Sequence, residues 1–429
     1  MDLNELYGLY RQFPDVTTDS RDIRKDALFF ALKGETFNGN AYAGDAIRKG
    51  AAYAVIDDPA FLGGDRFLLV EDVLKSLQGL ASLHRRELDI PVIAITGSNG
   101  KTTTKELAAA VLSRKFRTLA TEGNLNNHIG VPLTLLHVRP ETEIAILEMG
   151  ANHPGEIAFL CDLARPGFGL ITNIGKAHLE GFGGYEGVVR AKTELYRHLA
   201  SHSGLAFLNS DDPLLVGKAA ELKHFTYGSG NSADVRTVKS QADPYVSLEI
   251  GHGSSLFRIE SRLYGQYNLQ NILAAAAIGI YFGVEPDAIR DAIAGYEPRN
   301  NRSQVLKTEK NLMILDAYNA NPTSMQLAIR NFLDNPFPEK MLILGDMLEL
   351  GGETDNEHRM ILDLLEKENV ANVFLVGPVF TRLNTRREWI CFQDIELARL
   401  WFLHHKPAGA TILIKGSRGM KMETVAEAL

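Results

Sequence analysis

Cysteine is scarce. Only Cys161 and Cys391 occur in 429 residues, far apart and without metal-ligand spacing, which excludes a disulfide framework and a cysteine-based zinc site. Both read as small, buried apolar residues of a reducing compartment. Long hydrophobic runs are missing as well. The longest apolar-rich stretch, Ile272 to Val284, is too short to span a bilayer, and the start Met1-Asp2-Leu3-Asn4-Glu5 lacks the basic flank and apolar core of a signal peptide. A cytoplasmic protein without membrane insertion is expected. Nor is there an excess of positive charge: the formal net charge of -8 argues against a nucleic-acid partner, while leaving room for a local basic pocket around an anionic small molecule. No low-complexity tract or recurring period points to disorder, a solenoid or a propeller.

What is present is an ordinary globular composition, 45% apolar and 23% charged, in a chain too long for one core. Three α/β units are expected. In the first, residues 1–89, β-like runs (Ala27 to Leu32, Tyr53 to Ile56, Arg66 to Val70) alternate with helical patterns (Ala41 to Lys49, Asp72 to Leu88). Pro91 precedes the β-rich run Val92 to Thr96, which opens a larger unit over 90–296 containing the runs Glu143 to Met149 and Phe168 to Thr172 and an alanine-rich helix, Asn268 to Phe282. The polar stretch Glu297 to Asn301 reads as a linker to a third unit, 297–429. There Leu312 to Leu315, Met341 to Leu344, Val373 to Val376 and Thr411 to Ile414 are spaced as strands of a Rossmann-like, doubly wound sheet.

The strongest local signal is Gly97-Ser98-Asn99-Gly100-Lys101-Thr102-Thr103, between the strand Val92 to Thr96 and a helix expected over Lys105 to Arg114. Glycines let backbone N–H groups curve around phosphate oxygens, the helix start adds positive potential, Lys101 can reach terminal phosphates, and the Thr102 hydroxyl can bind Mg2+. Ile95 stands where the general phosphate-loop pattern has its first glycine, so this is a shortened variant. A glycine turn capping a helix, with a surface lysine, is the plainer alternative. It leaves the joint occurrence of strand, loop, Lys-Thr and helix unexplained.

Phosphoryl transfer also needs groups that hold Mg2+ and offset charge, and in open α/β sheets these gather at the carboxyl ends of strands. Glu148 closes the apolar run Ile144 to Leu147, and His178 follows the run ending at Thr172. Taken singly, Glu148 could be an exposed strand-end acid and His178 an ordinary loop histidine. Lys192 by itself reads as a solvated helix lysine. Asp316-Ala317-Tyr318-Asn319-Ala320-Asn321-Pro322 follows a strand and could read a ribose or small substrate, or form an Asx-rich turn and helix cap. Gly345 to Gly351 holds a similar position and stays ambiguous.

Together these elements resemble the Mur ligase family, along nearly the whole chain. The matching segments are Thr18-Asp19-Ser20-Arg21, Phe29 to Glu35 with Lys33, Thr96 to Thr104, Asn124-Leu125-Asn126-Asn127, Glu148 to Glu156, Asn173 to Glu180, Asn268 with Asn271, Asp316 to Met325, Gly345 to Gly351 and Lys415-Gly416-Ser417-Arg418. The asparagine-rich loops at 124–127 and 319–321 are similar to the branch that adds D-alanyl-D-alanine. The resemblance implies ATP-dependent ligation of that dipeptide to UDP-MurNAc-tripeptide through an acyl phosphate, by a monomer whose three units close around the reaction.

Carried over by position, Lys101 contacts phosphate, and Thr102 with Glu148 holds one Mg2+. Glu148 with His178 holds a second. Lys192 aligns with a carbamylated lysine, whose anionic oxygens suit a hard cation where an ammonium would repel it. Asn268, Asn271, Arg302 and Asp316 match nucleotide contacts, although Tyr267 and Asn301 stand where the family often has histidine and glycine. Ser20, Arg21, Lys33, Asn124, Asn126, Asn127, Tyr318, Asn319 and Asn321 match substrate contacts. The rival readings are a sibling ligase adding one amino acid, including folate polyglutamylating relatives, and a nucleotide-driven switch that forms no bond.

Overall fold

The structure is a computed structural model that describes residues 1–429. Three sheets of four, nine and six strands succeed one another along the chain, so the three expected α/β units are present. No helix is long and apolar enough to cross a membrane.

The first sheet is parallel, in the order Val16–Thr17, Leu28–Phe30, Tyr53–Ile56, Phe67–Leu69. Two further elements lie outside the sequence expectation: the first strand and the helix Leu3–Gln12, which starts from an Asp2/Glu5 capping box. The helix Val73–Glu87, capped by Asp72, carries this unit onto the next. There Tyr10 Oη donates to Leu136 O at 2.8 Å, and Arg85 Nε donates to Ala164 O at 2.8 Å.

The central sheet runs in the order Ser255–Tyr264, Tyr245–His252, Val235–Ala242, Lys223–Gly228, Leu205–Asn209, Phe168–Ile171, Val92–Thr96, Ile144–Glu148, Thr118–Ala120. It is parallel from Val235–Ala242 onward, with the hairpin 245–264 added antiparallel at one edge. Its middle strands are apolar throughout because both faces are covered. Ile93 and Ile95 pack with the helices Lys101–Leu112 and Leu269–Tyr281, while Val92 and Ala94 face the other side, in a cluster of 59 buried residues that reaches from Leu6 to Leu413. Continuity of that cluster packs the three units on one another.

The chain leaves Val92–Thr96 toward Thr118–Ala120 on one side and leaves its neighbour Phe168–Ile171 toward Leu205–Asn209 on the other, so the strand order reverses between these two strands. The crevice this opens at the carboxyl ends of the strands is where such sheets take ligands. The following helix begins at Lys101, earlier than the expected Lys105. Gly100 adopts φ +79°, turning the chain sharply into the helix, and Thr102, Thr103 and Thr104 are buried in its first turn. Packing here overrides the low helix propensity of three β-branched residues.

The third sheet, ordered Gln304–Lys307, Leu312–Asp316, Thr411–Lys415, Lys340–Gly345, Val373–Val376, Ile390–Phe392, is parallel except for its first pair. The strands ending at Asp316, Gly345 and Lys415 point their carboxyl ends toward the central unit's crevice. Between the two units lies a cavity of about 1190 Å3.

Candidate active site

The glycines of the phosphate loop are required by shape. Gly97 has φ +138° and Gly100 φ +79°, and a Cβ on either would overlap Thr172 Oγ1 or Asn271 Oδ1 respectively. Residues 172–175 brace the loop. Ser98 N donates to Asn173 O at 2.9 Å, Asn99 N donates to Asn173 Oδ1 at 3.1 Å, and Thr172 Oγ1 donates to Asn99 O at 2.6 Å. Lys101 folds back so that its Nζ donates to Gly97 O and Ser98 O at 2.8 and 3.1 Å. Burial lowers its pKa, against the opposing pull of Glu148.

Glu148 is 2% exposed. Its Oε1 accepts from Asn126 Nδ2 at 2.8 Å, while its Oε2 is buried with no partner. An unpaired buried carboxylate oxygen is costly unless a cation satisfies it. That oxygen, at the mouth of a glycine-shaped phosphate loop and a helix start, fits a nucleotide with bound Mg2+.

The remaining expected metal ligands are placed differently. His178, in the left-handed region at φ +52°, lines the cavity but pairs through Nδ1 with Glu349 of the C-terminal unit. Lys192 is 1% exposed, which overturns its local reading as a solvated lysine. It lies one layer behind the cavity wall, Nζ 3.4 Å from Ala151 O and 5.5 Å from the centre of the Phe182 ring. Burial first, then the charge of Lys101, pulls its pKa down to about 7. No three His, Cys, Asp or Glu side chains converge as a ready cluster for a cation. Glu148 is thus the one carboxylate of the expected set poised in the cavity.

Asn268 and Asn271 line the cavity and also tie its walls together. Asn271 Nδ2 donates to Asn268 Oδ1 at 2.8 Å, and Thr104 Oγ1 donates to Asn271 Oδ1 at 3.1 Å. Of the asparagine-rich loop, Asn124, Asn126 and Asn127 all reach the cavity, and Asn127 Oδ1 also accepts from Ile129 N and Gly130 N.

From the C-terminal unit, Asp316 accepts from buried Lys415 Nζ at 2.6 Å and from Ser303 N at 3.1 Å. Its carboxylate anchors the segment just after the linker. Arg302 stacks on the Tyr318 ring at 3.4 Å and Arg418 lies 4.6 Å from the same ring. The Arg302 Nε is buried without a partner, as are Asn99 Nδ2 and Gln270 Oε1 among the cavity-lining residues. Asn319 Oδ1 accepts from Arg418 N. Asn321 caps the helix Pro322–Asp334, and its Nδ2 donates across the unit boundary to Asn99 Oδ1 at 2.8 Å.

Ser20, Arg21 and Lys33 are not brought to this cavity. Arg21 is exposed and paired with Asp19 at 2.7 Å, Lys33 pairs with Asp57 at 2.9 Å, and Ser20 O accepts from Lys49 Nζ. They share the surface of the first unit. Sequence reasoning assigned no role to Asn173, Glu349 or Arg418 individually. The strand-end position of Gly345 to Gly351 was the available signal for Glu349.

With this geometry in place, profiles described as "Mur ligase family, catalytic domain", "Mur ligase middle domain" and "Mur ligase, glutamate ligase domain" match residues 14–96, 95–279 and 301–418. The chain is 36% identical to the UDP-N-acetylmuramoyl-tripeptide--D-alanyl-D-alanine ligase of Bacillus subtilis, across 96% of this chain and 92% of that one. The chain belongs to the Mur ligase family. Among solved structures of Mur ligases, MurF from Acinetobacter baumannii superposes with a TM-score of 0.86 at 32% identity, covering 96% of this chain and 92% of that one. MurF of Thermotoga maritima, solved in complex with ADP, gives 0.84 at 29% identity, covering 96% of each chain. The three-unit Mur ligase architecture accounts for the two strand-end faces meeting across one cavity.

Proposed function

We propose that this chain joins the amine of D-alanyl-D-alanine to the free carboxylate of UDP-MurNAc-tripeptide, with conversion of ATP to ADP and phosphate, as a step in building peptidoglycan precursor. One observation carries the reading: the phosphate loop and the unpaired Glu148 oxygen of the central unit face Arg302 and Arg418 of the C-terminal unit across a single cavity. It stands in a chain alike, nearly end to end, to ligases named for that reaction.

A carboxylate resists an amine until one of its oxygens becomes part of a leaving group. Phosphoryl transfer from ATP to that oxygen gives an acyl phosphate. The amine nitrogen then attacks the carbonyl carbon, the amide bond forms, phosphate departs and the amine loses a proton. Backbone N–H groups from Gly100 to Thr103, at the helix start, hold the nucleotide phosphates, those of Ser98 and Asn99 being taken up by Asn173, and Lys101 exchanges its two loop carbonyls for a terminal phosphate. Arg302 and Arg418 bring fixed positive charge from the opposite wall, a stabilisation that strengthens as water is excluded. Mg2+ held by Thr102 and Glu148, with a second ion on Glu148, His178 and a carbamylated Lys192, would supply positive charge between phosphate and incoming carboxylate.

Lys192 suits that modification because it is buried and has no anionic hydrogen-bond partner. Its neutral amine forms an N–C bond to CO2, loses a proton and becomes an anionic oxygen donor. Asn268, Asn271 and Asp316 border the nucleotide. Asn124, Asn126, Asn127, Tyr318, Asn319 and Asn321 border the peptide and dipeptide. Ser20, Arg21 and Lys33 take the UDP end on the first unit, with unit boundaries at 89/90 and 296/297. We infer a monomer acting in the cytoplasm.

The test is phosphate release measured with each substrate omitted in turn. Release should require ATP, the UDP-linked tripeptide and D-alanyl-D-alanine together. ATP turnover indifferent to both acceptors would support the switch, and equal turnover with a single amino acid would support the sibling ligase.

A further inference from the structure

Away from the cavity, the central and C-terminal units meet at a buried carboxylate that nothing above uses. Glu357, on the helix Thr354–Lys367, has a side chain 1% exposed; its Oε1 accepts from Lys176 Nζ at 2.6 Å and its Oε2 has no partner. Neither Glu357 nor Lys176 lines the cavity. A carboxylate taken from water needs compensation. The nearby start of its own helix supplies a little, and its only hydrogen-bonding partner belongs to the other unit.

Lys176 sits in a loop tied on both sides. Toward the phosphate loop, Gly175 N donates to Ser98 Oγ at 2.9 Å and Asn99 N donates to Asn173 Oδ1 at 3.1 Å. Toward the C-terminal unit, Lys176 N donates to Thr323 Oγ1 at 3.1 Å, in the first turn of the helix whose cap, Asn321, reaches Asn99. A Cβ on Gly175 would press on the Thr323 side chain, so the two backbones approach closely here.

We infer that Lys176 and Glu357 are a positioning pair, a clasp outside the reacting cavity that sets the register of the C-terminal unit on the phosphate loop. A contact biases a conformational equilibrium only by being worth more in one arrangement than in the other. This pair exists only while the units are apposed, and apposition is what places Arg302, Tyr318 and Arg418 opposite Lys101. Lys176 extends along the boundary, half in solvent, and Glu357 waits buried on the far side, so the clasp can form and release without unfolding either unit. The inference rests on the proposed ligase reading only for what the register serves.

The test uses the full chain carrying Lys176→Met, Glu357→Gln, both together, and Lys176→Arg. Small-angle X-ray scattering with ADP and Mg2+ reads apposition without turnover. Lys176→Met and the double variant should shift to a larger radius of gyration than the unmodified chain, and Lys176→Arg, which keeps the charge, should not. In the phosphate-release assay each single loss of the pair should lower kcat/KM for the amine substrate by about tenfold or more, since small misplacement of reacting groups is expensive. The double variant should be no worse than the poorer single, as expected of two residues acting through one contact.

Unchanged scattering and unchanged kinetics in Lys176→Met would overturn the clasp. So would losses that multiply in the double variant, or an Arg variant as impaired as the Met. Lys176 is 42% exposed in its side chain, so its variants stay folded and carry the test even if Glu357→Gln does not. If no substrate pair is turned over, scattering still reads the clasp, which separates its failure from failure of the ligase reading.

Discussion

Replacing Lys192 by methionine should yield a protein that is more stable and inactive. The side chain is 1% exposed, and its pKa falls from 10.5 to about 7, chiefly by burial and then by the charge of Lys101. At about 1.4 kcal/mol per pKa unit, the buried ammonium is disfavoured by roughly 4–5 kcal/mol. The sign follows from proton counting. Between the two values the unfolded chain holds a proton that the folded chain has released, so stability rises with pH there. The penalty is complete below about pH 7 and disappears as pH approaches 10.5.

Methionine is unbranched, of similar length, and has no charge to bury. In buffer freed of CO2, urea unfolding at pH 7 should show Lys192→Met more stable by roughly 2–4 kcal/mol, an interval set below the full penalty because water and neighbours relax around a buried charge. The advantage should shrink by about 1.4 kcal/mol for each pH unit from 7 to 9. Turnover should be lost at every pH, and in Lys192→Ala a short carboxylic acid should restore part of it by standing in for the carbamate. A stability difference that stays constant from pH 7 to 9, or a methionine variant less stable throughout, would refute the reasoning.

Three further outcomes are expected. Glu148→Gln keeps the acceptor for Asn126 Nδ2 and places an amide where the unpaired oxygen lies; unfolding should shift by less than about 1 kcal/mol, while phosphate release at saturating Mg2+ falls by about a hundredfold or more. Gly100→Ala puts a Cβ against Asn271 Oδ1 at φ +79°, a strain of about 1–2 kcal/mol before the overlap is counted; calorimetry should show ADP affinity down by at least about tenfold. Tyr318→Ala removes the ring between Arg302 and Arg418. A cation-π contact of about 0.5–2 kcal/mol translates into a rise in KM for ATP of roughly two- to thirtyfold, with kcat falling less.

Local strings were legible and tertiary neighbours were not. Gly97 to Thr103 could be read because each requirement, a turn with positive φ, a helix start and a lysine, lies within a few residues. Strand ends were legible for the same reason: Ile144 to Leu147 is continuously apolar, so Glu148 had to close a strand. The helix start was misplaced because Thr102, Thr103 and Thr104 are weak helix formers held by burial. The hairpin 245–264 was legible and went unread: Val246, Leu248 and Ile250, then Ile259 and Leu263, alternate with less buried or polar positions, as expected of a sheet with one covered face. Burial of Lys192 left no local mark. Its helix, Tyr185–Lys192, ends against Ala151 and Phe182, contacts that only the fold creates.

The cavity is built from two halves, and this decides which residues sequence could supply. Each Rossmann-like sheet independently presents a strand-end cluster, so Asp316 and Gly345 to Gly351 stood out as candidates within their own unit. What those clusters do depends on partners far away in the chain: His178 against Glu349, Asn99 against Asn321, Lys176 against Glu357. None of these pairs has a spacing that any motif could encode. Ordinary polar side chains become a site only when the units are apposed, and among the groups left unsatisfied in its lining, Glu148 Oε2 on one wall and Arg302 Nε on the other have opposite charge. A cation-bearing anion placed between them satisfies both, which is the electrostatic requirement of phosphoryl transfer to a carboxylate. Separated units would each be left with a half-compensated charge, so the chemistry and the apposition of the two sheets favour one another.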